Sequence, residues 1–198
     1  MFQNAQTISP LAAFLALGTS IYALLALALG WGLNVELLIR HPATQSAMVP
    51  ATAAGFLVTG TAVIATGVGL SKLAHILTGI VLVIICMTAL GQLYGWYRPA
   101  ELFVTQLAGT EGMAPATEFG FILAVFALNR LIAGSIFIVE AISIFGLSSA
   151  IMIALLNLSG TTGEFGLGFL IGISLQTSIL FALLFTALCL VSNTHKPD

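Results

Sequence analysis

Charged side chains are nearly missing from this chain. They make up 6% of the 198 residues, against about 25% in an ordinary soluble domain. A water-facing surface cannot be built from so few, so a soluble fold is excluded. The five Lys and Arg form no cluster and the net charge is −2, which argues against nucleic acid as a partner and against a polybasic patch for anionic lipid. The two cysteines, Cys86 and Cys189, each sit in an apolar run with no CxxC spacing, so both read as small buried hydrophobes. There is no Ser/His/Asp set, no HExxH, no glycine-rich phosphate loop and no carboxylate pair in a plausible cleft. No enzymatic role is expected, and no metal site. Met1 to Ser9 has no Lys or Arg, and the apolar run after Pro10 is too long for a signal core, so it reads as a retained span.

What is abundant is hydrocarbon: 59% of residues are hydrophobic and the mean hydropathy is +1.13. A membrane crossing needs about 20 predominantly apolar residues. Spans are expected at about residues 11–33, 49–70, 73–94, 114–133, 137–158 and 168–192. The fold class is therefore all-α, a polytopic transmembrane bundle of six helices forming one integral domain. Trp31 closes the first span, and Tyr94, Trp96 and Tyr97 close the third as an aromatic belt. The turn inside 115–160 falls near Gly134 to Phe137, because a turn at Arg130 leaves the fourth helix too short to cross. Lys72, Arg130 and Lys196 lie on the side of both termini, and Arg40 and Arg98 on the other. This bias points to cytoplasmic termini in a bacterial inner membrane.

A repeat is the most informative feature. Met48-Val49-Pro50-Ala51-Thr52 precedes Phe56, Met113-Ala114-Pro115-Ala116-Thr117 precedes Phe121, and Ile173-Ser174-Leu175-Gln176-Thr177 precedes Phe181. The copies lie 65 and 60 residues apart, one hairpin plus a loop, so they read as parallel repeats. Pro in the first turn of a helix loses no hydrogen bond. Thr52, Thr117 and Thr177 are placed to bond a carbonyl one turn back or a neighbouring helix, and each Phe lies one turn further on the same face. The motif is a helix-entry device, or it lines an outward-facing pocket in which Gln176 also takes part.

These copies, with Leu93-Tyr94-Gly95 and Leu102-Phe103 between the first two, resemble the MASE-type membrane-embedded sensor regions at the N-termini of bacterial histidine kinases and diguanylate cyclases. The resemblance spans about Ala47 to Ser192. It implies a polytopic sensing module whose last helix feeds a cytoplasmic output domain. Only six residues follow Ser192, so the expectation is a module that works with a separate partner, or a fragment.

Ionisable residues in spans are the default functional candidates. Arg130 and Glu140 flank the expected turn; they pair across it, snorkel separately, or handle a ligand or proton. His75 is an interfacial polar residue, or it ligates haem or a chlorin or bonds a quinone; His41 and His195 fall in a loop and the tail. Glu118 contacts a ligand or is favoured by the helix dipole. Tyr22 lies within the first span, and the glycines of the second let helices approach closely. Three functions follow. One is a module sensing an apolar ligand or membrane state and signalling through helix packing to a partner or a homo-oligomer. The second is an accessory subunit of a larger photosynthetic or respiratory complex. The third is a small transporter. Membrane lipid is a partner under all three.

Overall fold

The computed structural model describes residues 8–40, 46–94, 112–159 and 172–194. Among them are six helices long and apolar enough to cross a membrane, and no strand is formed beyond an isolated bridge between Arg40 and Ala47. They are α1 (Pro10–Leu25, continued by a π-helical turn, Ala26–Trp31), α2 (Pro50–Gly67), α3 (Ser71–Tyr94), α4 (Pro115–Ile132), α5 (Ile136–Ser159) and α6 (Leu175–Thr194). The aromatic belt at Trp96 and Tyr97, the acidic residues Glu101, Glu111 and Glu164, His41, His195 and Lys196 lie outside the described residues.

The helix boundaries have local causes. Proline opens α1, α2 and α4 in the first turn, where its missing N–H is no loss. α2 and α4 end in the same way. Gly69 and Gly134 take φ of +79° and +77°. The next amide reaches back to close each turn, Leu70 to the Ala65 carbonyl at 2.8 Å and Ser135 to the Arg130 carbonyl at 2.9 Å. This is the Schellman arrangement, which consumes carbonyls the helix end would otherwise leave bare. Gly134 falls inside the turn expected from span length.

α6 starts at Leu175, later than the expected residue 168. Gly172 has φ of +94°, and the Ser174 hydroxyl accepts the Thr177 amide at 3.1 Å, so Ser174 caps the helix. Hydropathy alone counted Gly172 and Ile173, which precede this cap, as helix.

α2, α4 and α6 form the inside of the bundle. α1 packs between α6 and α2, α3 between α2 and α4, and α5 between α4 and α6. Thr52, Phe56, Val63 and Thr66 of α2 are buried. So are the residues 65 positions later, Thr117, Phe121, Leu128 and Leu131, and those a further 60 along, Thr177, Phe181, Leu188 and Val191. The outer helices bury residues, most of them small, at alternating spacings of four and three: Ala12, Ala16, Thr19 and Ala23 in α1; Ala74, Thr78, Val81 and Ile85 in α3; Val139, Ser143, Gly146 and Ala150 in α5. Lipid tails are as apolar as leucine, so helices here are held by close packing, which small residues permit.

The burial expected of the two cysteines is corrected, and the first span closes on a buried residue: the Trp31 indole N–H donates to the Met48 carbonyl at 3.0 Å. The wider π-helical turn ends α1 at this residue. Cys86 is exposed on the outer side of α3 and Cys189 is half-buried; in a bilayer an apolar thiol needs no burial.

Candidate functional site

The three motif copies open α2, α4 and α6 at the same register, and their phenylalanines meet. Phe56, Phe121 and Phe181 form a triangle with ring centroids 4.8, 4.6 and 5.0 Å apart and planes inclined by 57–65°. Such tilted contacts align ring edges with ring faces. A glycine precedes Phe56 and Phe121, and each receives the next ring. A Cβ on Gly55 would stand 2.6 Å from Phe121 Cζ, and one on Gly120 2.6 Å from Phe181 Cζ. The glycine at the same motif position in two copies, Gly55 and Gly120, is the signal that sequence reading missed; Leu180 stands there in the third. Thr52, Thr117, Thr177 and Gln176 are all buried beside this cluster on the same helix starts. Among the described residues the Gln176 side-chain oxygen has no hydrogen-bond partner.

Around the triangle, an outer helix clasps the next inner helix at its opening. Trp31 of α1 bonds the Met48 carbonyl. Gln92 of α3 donates to the Met113 carbonyl at 2.7 Å. The same Gln92 amide lies 3.2 Å from Glu118 Oε1, which also accepts the Thr88 hydroxyl at 3.0 Å. Glu118 is thus engaged by α3 as well as lying in the first turn of α4, where a carboxylate suits the dipole. At the third opening the clasp is absent among the described residues. Asn157 holds the place 65 positions after Gln92, but its amide turns back to the Ile153 carbonyl at 3.1 Å.

A cavity of about 160 Å³ lies at this third place, between α4, α5 and α6. Ala116 and Gly120, Gly146 and Ala150, and the rings of Phe181 and Phe185 form much of its wall. The polar side chains lining it are two serines, Ser149 and Ser178. Phe181 and Phe185 stack at 5.9 Å, with Phe185 pressed onto Gly146, where an added Cβ would meet the ring at 2.5 Å. Three residues before Gly146 in α5, the buried Ser143 hydroxyl has no hydrogen-bond partner among the described residues.

The remaining candidates lie toward the other end of the bundle. His75 Nδ1 is 3.1 Å from Asn129 Oδ1. The Asn129 amide donates to Val125 at 3.0 Å, so its oxygen accepts and the histidine donates, tying α3 to α4. Arg130 is exposed with its guanidinium 4.9 Å above the Phe126 ring, and Glu140 is half-buried in the first turns of α5. The structure therefore separates the candidates into two sets. The motif residues and Glu118 gather at the opening end, while His75, Arg130 and Glu140 lie near the tight turns.

Among the described residues no three His, Cys, Asp or Glu side chains group to hold a metal. Comparison with protein-family models, with curated proteins and with solved structures found no match.

Proposed function

We propose that this chain is a non-enzymatic integral membrane module that senses an apolar ligand or the state of the bilayer and signals to a partner through helix packing. The observation that carries this reading is that one ring, Phe181, serves two places: it closes the aromatic triangle joining α2, α4 and α6, and it walls the cavity. Filling or emptying the cavity therefore bears directly on the contact that sets the positions of three helices. Interiors of this kind are close-packed and respond to volume changes by switching arrangement. The resemblance of the motif copies to MASE-type sensor regions fits the same role. Exposed Lys72 and Arg130 at the turn end support a topology with that end, and both termini, in the cytoplasm of a bacterial cell.

The test is a distance measurement. Spin labels at Lys72→Cys and Ala133→Cys, with Cys86 and Cys189 replaced by Ala, report the spacing of the two tight turns. The expected result is a distance distribution that shifts when the protein is moved between bilayers of short saturated and long unsaturated lipids. One distribution common to all bilayers would overturn the sensing role.

A further inference from the structure

We infer that the seat between α4, α5 and α6 binds an alkyl chain of a membrane lipid, entering sideways from the hydrocarbon. This deepens the sensing reading and rests on it.

The argument begins with three equivalent places. Where α3 meets α4, Glu118 and Thr88 fill the space under the helix opening and Gln92 closes it. Where α1 meets α2, the buried Trp31 fills and closes it. Where α5 meets α6, the residues in register with Glu118 and Thr88 are Ser178 and Ile153. Both line the cavity, and neither has the reach of a glutamate or an indole. Among the described residues, no side chain at these positions fills the seat.

Its chemistry selects the occupant. A dry cavity of about 150 Å³ with apolar walls accommodates one benzene-sized group. At about 160 Å³ this seat holds a stretch of chain or a ring, not a whole amphiphile. The lining has no charged residue, so a headgroup is excluded from it. Ala116 to Leu123 of α4 run along the seat, a rise of roughly 10 Å at 1.5 Å per residue, so it is elongated. Its rim residues Phe119, Phe145 and Met152 are 45%, 57% and 49% exposed, on the side that meets lipid. An elongated, uncharged slot that opens into the bilayer matches an acyl or isoprenoid tail.

Photolabelling tests this in reconstituted full-length protein. One probe is phosphatidylcholine with a diazirine midway along an acyl chain; the other is a ubiquinone analogue with the diazirine on its isoprenoid tail. The expected result is adducts on 145–153 and 173–185 at roughly tenfold the yield on Ile76, Val83 and Met87 of α3, a ratio equivalent to about 1.4 kcal/mol. The probe that gives it identifies the source of the tail. Ser149→Leu and, separately, Ala116→Leu fill the seat and should remove the excess while leaving α3 labelling unchanged. Labelling that follows exposure alone, in wild type, would overturn the proposal even if neither variant folds. So would an excess that persists in a folded variant. A missing adduct with a lipid-dependent spin-label distance refutes the seat and spares the sensing role; a seated tail with a fixed distance does the reverse.

Discussion

Adding one methyl group at Gly120 should destabilise the bundle, although alanine is the better helix former. The new Cβ would stand 2.6, 2.9 and 3.1 Å from three atoms of the Phe181 ring, where ordinary carbon contacts are about 3.5–4.0 Å. The ring cannot retreat freely, because its centroid is 4.6 Å from Phe56, 5.0 Å from Phe121 and 5.9 Å from Phe185. Overpacking of this kind costs about 1–3 kcal/mol. The gain in helix propensity from Gly to Ala offsets roughly 0.5–1 kcal/mol of it. Net destabilisation of about 0–2.5 kcal/mol, centred near about 1, is expected by the difference of those two effects. Gly79 supplies the control, since a Cβ there meets nothing within 4 Å and Gly79→Ala should be neutral or stabilising. Thermal unfolding of detergent-solubilised protein, followed by the monodisperse fraction on size exclusion, measures both. Gly120→Ala paired with Phe181→Leu should recover much of the loss. If Gly120→Ala behaves like Gly79→Ala, the ring does not sit on this glycine and the account of the triangle fails.

Other outcomes follow from named contacts. Trp31→Phe keeps the packing but removes the donor to the Met48 carbonyl, and should cost about 1–3 kcal/mol in the same unfolding assay. Glu118→Gln keeps an oxygen for Thr88 and should be tolerated, whereas Glu118→Leu removes the acceptor that Thr88 and Gln92 share; both keep a carbonyl partner, at Ile85 and Met113, so a loss of about 0.5–1.5 kcal/mol is expected. Asn129→Leu breaks the His75 bond between α3 and α4 at a part-exposed site, so a smaller loss, about 0.5–1.5 kcal/mol, is expected. Arg130→Ala should cost no more than about 1 kcal/mol, the scale of an exposed cation–ring contact.

The six crossings were legible because hydrocarbon dictates them: each span must satisfy its own backbone, and length and apolarity record that need. The turn at Gly134 followed from the same length argument. The start of α6 did not, because Ser174 acts through a cap hydrogen bond that hydropathy does not register. Burial of Trp31 and exposure of Cys86 were also hidden. In a bilayer, burial follows shape and hydrogen bonding, and apolar character no longer sorts inside from outside. The motif phenylalanines were legible as equivalents, but their meeting in one triangle depends on three helices separated by long stretches of chain. Gly55 and Gly120 were visible in register; Leu180 at the third position broke the pattern. The cavity left no trace in any motif, since it arises from what Ser178 and Ile153 fail to fill.

The packing of α1 has a consequence for synthesis. Its neighbours are α2, made next, and α6, the last of the six described spans to emerge. Until that helix enters the bilayer, one flank of α1 faces lipid, and Phe56 and Phe121 wait for the ring that locks them. Assembly is thus a late, ring-closing event with a large separation along the chain, the class of step that is slow and exposes unfinished surfaces. Insertion machinery that shelters the first five helices would shorten the interval in which they can pair with the wrong neighbour.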